Sequence, residues 1–284
     1  MGYVLENENL KLECIEKGGE MQHLILKNSN REVLYQGDQG WSGKNPSLFP
    51  MVGNTFSKDY VIDGKTYAMK NHGLIRYATL KGEQKEDEIV FILDANEDTL
   101  KQYPFQFHYE IHYTLVNNRV CISYKIKNNG NVDMPFGFGL HPGFKLEDDF
   151  SNYSLEFEKE EHAKQLLFDP NFEKKIAYQD VVLKEWTLSR EDIKKYATLI
   201  YKDLSSKYVT LKHKGTPIVR VCIEHFPLLA LWTHETPSDF LCVEPWYSHA
   251  DFEKDVPDFY HREGTIVLKP NEEWSCSYWI EVLE

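Results

Sequence analysis

Positive charge is what this chain has least of: 32 Lys and Arg stand against 45 Asp and Glu, a formal net charge of -13. An acidic balance of that size gives no general attraction to polyphosphate or anionic lipid, so nucleic acid and membrane surfaces are not expected as partners. The basic pairs Lys174-Lys175 and Lys194-Lys195 lie near acidic neighbours and read as solvated surface. No apolar run is long enough to cross a bilayer, and Met1-Gly2-Tyr3-Val4-Leu5-Glu6-Asn7 lacks the basic and then apolar layout of a signal peptide. A soluble, cytoplasmic protein is expected. Cysteine is sparse too, with Cys14, Cys121, Cys222, Cys242 and Cys276 far apart and odd in number. That spacing fits reduced core thiols rather than a disulfide framework. Gly-rich phosphate loops, dinucleotide fingerprints and Cys-x-x-Cys turns are all missing. His108 and His112 are four apart, but their run alternates as a strand does, so with Glu110 they read as a polar outer face rather than a helical ligand pair. Chemistry without metal or cofactor is expected.

Helical periodicity is scarce, which leaves strands to build the core from a chain that is 42% hydrophobic and 14% aromatic. Apolar or alternating runs occur at Ile89–Leu93, Phe107–Leu115 and Val120–Ile126, then at Thr198–Tyr201, Tyr208–Leu211, Ile218–Ile223, Leu228–Trp232, Phe240–Val243, Thr265–Leu268 and Trp274–Val282. Turn signals separate them: Asp63-Gly64 marks an early hairpin, Asn117-Asn118 a second, Asn128-Asn129-Gly130-Asn131 another, and His234 to Asp239 joins two apolar runs. Short helices are expected at Glu97–Gln102 and Ser189–Lys195, where Ser189 suits an N-cap. Large sandwiches commonly run to roughly 200–250 residues as one unit, and no linker interrupts the pattern, so 1–284 reads as a single domain.

Chemistry-bearing residues gather in a few stretches. Cys242-Val243-Glu244-Pro245-Trp246 ends an apolar run with a carboxylate, which leaves two readings for Glu244: a partnered strand-end acid, or a buried carboxyl whose raised pKa lets it trade protons near neutrality. Phe136-Gly137-Phe138-Gly139-Leu140-His141-Pro142-Gly143-Phe144 sets a histidine among glycines that permit close approach, with a proline that favours an extended backbone at His141. His141 reads either as a satisfied core residue or as a proton carrier. Asn45-Pro46-Ser47-Leu48-Phe49-Pro50-Met51-Val52-Gly53-Asn54 is a fixed loop, and Asn71-His72-Gly73-Leu74-Ile75-Arg76 adds donors. Arg76 fits a surface ion pair as well as a ligand contact. Asn54 is also an ordinary turn residue.

Together these stretches resemble the aldose 1-epimerase (galactose mutarotase) family, and within it the lactose-operon-associated branch. The resemblance rests on four motifs in order: Pro46 to Pro50 as Pro-x-Leu-Phe-Pro, His72 to Arg76 as His-Gly-x-x-Arg, Gly137 to Pro142 ending in His-Pro, and Glu244 to Trp246 as Glu-Pro-Trp, followed by Ala250-Asp251. It extends over nearly the whole chain. The implied fold is all-β, a large antiparallel β-sandwich of the galactose mutarotase-like type with one or two short helices and a sugar cleft on a curved sheet. The implied activity is exchange of the α and β anomers of a free hexose. By resemblance Glu244 is the base and His141 the acid, facing each other across the sugar ring; His72, Arg76 and Asn54 contact substrate and Trp246 walls the cleft. A small-molecule sugar is the implied partner.

Two departures bear on substrate. Many relatives carry an arginine where this chain has Asn54, with Lys58 the nearest following cation. Many also have an aspartate near the strand that begins here at Tyr196-Ala197, where Asp192 and Asp203 flank the position. A phosphorylated hexose would call for a cluster of arginines, and Arg76 is the only one in these motifs, which favours a neutral sugar. The alternatives are a noncatalytic carbohydrate-binding or regulatory protein on the same fold, and a hexose-6-phosphate mutarotase.

Overall fold

Alternation of large apolar and polar side chains decides which way each strand faces, and the strand Phe107–Val116 shows it plainly: Tyr109, Ile111 and Tyr113 are buried while His108, Glu110 and His112 look outward. The computed structural model describes residues 2–38, 40–55, 59–167, 176–234, 238–251 and 258–284. The expected features at Lys58, at Lys174-Lys175 and in the middle of the 234–239 turn fall outside them.

The largest sheet runs from Ser47–Leu48 through Gly139–Leu140, Phe240–Trp246, Leu228–Trp232, Leu199–Lys202, Tyr153–Leu167, Tyr208–His213, Thr216–Cys222, Glu273–Val282, Arg119–Asn128, Phe107–Val116 and Glu88–Asp94 to Lys81–Gln84. Its ladders are antiparallel, as an all-β sandwich built of hairpins requires. A second sheet, Gly2–Glu6, Leu10–Ile15, Met21–Leu26 and Arg31–Glu32, contributes Leu10, Leu12 and Leu24 to the same core as Phe91 and Ile111. Turns form where expected. Asp63 and Gly64, both in the left-handed region, close the hairpin Asp59–Ile62 to Lys65–Ala68, and Asn117 does the same for Phe107–Val116 and Arg119–Asn128.

Both short helices are present. Glu97–Gln102 is capped by Asn96 in a reciprocal box with Thr99, and Arg190–Tyr196 by Ser189, whose hydroxyl accepts from Asp192 N–H at 3.2 Å. The long hairpin Tyr153–Leu167 to Ala177–Thr187 was not expected, because its second strand is largely exposed and its first is charged through Glu156 to Glu161. All five cysteines are free.

The strands Leu228–Trp232 and Phe240–Trp246 place the candidate residues. Leu229, Leu231, Leu241 and Val243 point into the main core, and burying each contributes about 1.5–3 kcal/mol. The other face of the same two strands carries Ala230, Trp232, Cys242, Glu244 and Trp246. A slip of one residue would exchange the two sets and drive Glu244 into the core, so apolar burial fixes the carboxyl's direction.

Candidate active site

Register alone brings His141 to Glu244. Gly139 pairs with Trp246 and Gly143 with Cys242, so the residue midway between the glycines stands opposite the residue midway along the partner strand. Pro142 lends its carbonyl to Val243 N–H at 3.1 Å, and the backbone N–H of His141 donates to Pro46 C=O at 3.1 Å. Small residues are required here: a Cβ at Gly139 would press on Trp246 and Val52, and one at Gly143 on Trp41.

His141 Nε2 lies 3.4 Å from Glu244 Oε2, with the two side chains 7% and 1% exposed. They are within reach of each other without the alignment of a hydrogen bond, and both His141 Nδ1 and Glu244 Oε2 are buried without a hydrogen-bond partner. The sequence placed Glu244 at a strand end and the pair across a sugar ring. Instead Glu244 sits inside Phe240–Trp246, opposite Ala230, and the imidazole and carboxyl stand side by side.

Burial sets the charge of both groups. It pushes the Glu244 carboxyl well above the usual carboxylate range, with the Trp246 indole and the Arg76 charge drawing it part of the way back. It drives His141 well below the ordinary histidine value, helped by His72 and Arg76. Both groups therefore resist charge.

The loop Asn45 to Pro50 and the segment Asn71 to Arg76 are locked together around this pair. Phe49 and Gly73 form a bridge, Leu74 N–H donates to Phe49 C=O at 2.7 Å, and Gly137 N–H donates to Pro50 C=O at 2.6 Å. Gly73 has φ of 81° and its missing side chain leaves room for the Phe49 carbonyl, so only glycine fits. Glu20 Oε1 accepts the backbone N–H groups of Lys44 and Asn45, at 3.0 and 2.8 Å, which pins the loop from below.

His72, at φ of 65°, accepts Gly53 N–H on Nδ1 at 3.0 Å while its own N–H donates to Gly53 C=O at 2.8 Å. With Nδ1 accepting, the ring proton belongs on Nε2, making His72 a donor. Burial, then the Arg76 charge, holds its pKa at about 3, so it stays neutral at any working pH. Its ring meets that of His141 edge to face at 5.3 Å. Arg76, half-buried in the short Ile75–Tyr77 turn, offsets part of the rise that burial gives the Glu20 and Glu244 carboxyls.

Asn54 is exposed, and its carbonyl accepts Asp251 N–H at 3.0 Å. Trp246 is buried, with its indole N–H directed to Leu140 C=O at 3.2 Å, and packs with Leu48, Val52, Leu228 and Ala230. Of the flanking aspartates, Asp192 accepts the Trp186 indole N–H, and Asp203 follows the strand at φ of 64°. Lys202 lies over the Tyr178 ring at 3.7 Å.

Sequence reading missed the aromatic rim. Trp41 stacks on His141 at 4.9 Å and Trp232 meets it edge-on at 5.6 Å, both half-buried. Trp232 carried a signal, since it alternates with Leu231 and must face Glu244's side; Trp41, in an irregular loop, carried none. Arg262 was missed as well. It is buried against Asp251 and Met51, so its charge is already matched. On the outer face, every ring nitrogen of His108 and His112 meets a carboxylate of Asp94, Glu110 or Glu88 at 2.7–2.8 Å.

The sequence pattern of the family described as aldose 1-epimerase matches residues 1–281. Protein LacX of Lactococcus lactis subsp. lactis, in its chromosomal form, is 27% identical over 264 residues, covering 85% of this chain and 86% of its own. A galactose mutarotase related enzyme from Lactobacillus acidophilus superposes with a TM-score of 0.91 at 26% identity, over 100% of this chain and 98% of that one. A galactose mutarotase-like protein from Lactobacillus casei ATCC 334 gives 0.90 at 24% identity, over 100% of both.

Proposed function

Since the chain belongs to the aldose 1-epimerase family, we propose that it is an isomerase that interconverts the α and β anomers of a free hexose, with His141 and Glu244 as its proton-transfer pair. One observation carries this reading: an imidazole and a carboxyl 3.4 Å apart, both buried and both short of hydrogen bonds. Anomer exchange needs a base at the C1 hydroxyl and an acid at the ring oxygen. Those two oxygens are bonded to one carbon, so neighbouring catalytic groups suit them, and their mutual contact gives way to contacts with the sugar.

When the sugar seats, the Glu244 proton passes to His141; Glu244 then removes the hydroxyl proton as the ring opens, and His141 supplies one to the ring oxygen. The open aldehyde turns about the C1–C2 bond, recloses on its other face, and the two groups return their protons. Nothing is consumed, and the pair ends as it began. Each transfer contributes about 10²–10⁴-fold. His72, neutral with its proton on Nε2, and Arg76 donate to sugar oxygens; Trp41 and Trp232 offer ring faces to the apolar side of the sugar. Trp246, two residues past Glu244 on the same strand face, borders the site, and the whole of 1–284 serves as one unit. Arg262 is neutralised by Asp251, which supports a hexose without phosphate.

Polarimetry on freshly dissolved α-glucose and α-galactose tests the reading. Faster approach to equilibrium than the buffer rate supports it. A protein that binds these sugars without changing the rate is a carbohydrate-binding protein instead, and acceleration confined to hexose 6-phosphates moves the substrate to the phosphorylated class.

A further inference from the structure

The side-chain face that carries the pair holds a third donor that proton transfer does not use. Cys242 stands two residues before Glu244 in the same strand and is fully buried. One atom each from His141, Cys242 and Glu244, a nitrogen, a sulfur and an oxygen, all lie within 4.8 Å of one another.

We propose that His141, Cys242 and Glu244 form a three-ligand site for a thiophilic divalent cation of the zinc type, and that its occupancy switches off anomer exchange. This rests on the proposed function only for the second half; the binding site stands on geometry alone. Bond lengths of about 2.0–2.3 Å put tetrahedral ligands roughly 3.3–3.8 Å apart. The His141–Glu244 separation of 3.4 Å already meets that, so the thiol alone must draw in, by about an ångström. Glu244 Oε2, the carboxyl oxygen facing His141 Nε2, is buried without a hydrogen bond. A mixed nitrogen, sulfur and oxygen set suits zinc, whereas magnesium and calcium require oxygen ligands throughout.

A cation seated there takes the base and the acid together, and a sugar cannot reach either.

Cobalt(II) reports the thiolate directly through its charge-transfer absorption in the near ultraviolet. Titration of the metal-free protein is expected to give a band saturating at one ion per chain in the wild type, absent from Cys242→Ser and from Cys242→Ala, with thermal melts confirming that both variants fold. No band in the wild type, or a band that survives in both variants and so belongs to half-buried Cys121 or Cys276, overturns the site. For the switch, zinc should inhibit the wild-type rate at concentrations at least about tenfold below those needed with Cys242→Ser. Equal inhibition of the two overturns it. A cobalt band in a protein without mutarotase activity leaves the metal site standing and removes the enzymatic reading instead.

Discussion

Replacing Glu244 by glutamine should make the protein more stable as pH rises, even though it removes the proposed base. The carboxyl is 1% exposed, one of its oxygens lacks a hydrogen bond, and burial lifts its pKa well above the ordinary carboxylate range. A carboxyl raised on folding contributes its full stability below its unfolded pKa, and that stability is lost as pH climbs through the folded value. Each pH unit within that window costs the wild type about 1.4 kcal/mol. Glutamine has nearly the same shape and no charge to lose. His141 does not take up the proton, since burial drives its own pKa down. At about 2–4 °C of Tm per kcal/mol for chains near this size, the gap between Glu244→Gln and wild type should widen by roughly 3–6 °C per pH unit inside the window. Thermal melts of both proteins at half-unit steps from pH 4.5 to 8 measure it. A gap that stays constant, or that shrinks as pH rises, would mean an ionised and well-satisfied carboxylate in the folded state, and would refute the pairing of burial with proton exchange.

A rate profile follows from the same pair. With His141 lowered and Glu244 raised, kcat/KM corrected for the buffer reaction should be flat through neutrality, with its acid limb below the ordinary histidine value near 6.5; an acid limb centred at or above that value contradicts it. Gly73→Ala meets both a φ of 81° and the Phe49 carbonyl, and should cost about 2–3 kcal/mol in urea unfolding. An unchanged midpoint would show that the two loops are not locked as described. Trp41→Ala removes ring contacts to His141, Tyr35, Trp232 and Phe240, each worth about 0.5–1.5 kcal/mol, and should lower kcat/KM by about tenfold or more. A change below about twofold would take Trp41 out of the site.

Strands with an apolar inner face were legible because burial imposes a period of two, as at Phe107–Val116 and Glu273–Val282. Hairpins at Asp63-Gly64 and Asn117-Asn118 were legible because only a few residues accept left-handed backbone. The strand Ala177–Thr187 was hidden since it has almost no inner face to betray it. Within the site, the likeness to a known family supplied His141 and Glu244 as partners, and the register of Gly139 and Gly143 against Phe240–Trp246 is the physical reason they meet. Composition held no trace of that distance. Their close contact, in place of a separation across a ring, depends on pairing between segments about a hundred residues apart, which no periodicity describes. Trp41 lay beyond reading for a similar cause: its place is set by Asp38, which accepts its backbone N–H at 3.2 Å, and by the space above Gly143.

Polarimetric initial rates for α-galactose and α-glucose, taken side by side for wild type, His141→Ala and Glu244→Ala, bear most directly on whether these two groups carry the reaction. Wild type should outpace buffer, and each substitution should reduce the enzymatic part by about 10²–10⁴-fold. Three folded proteins with the same rate above buffer would remove His141 and Glu244 from catalysis.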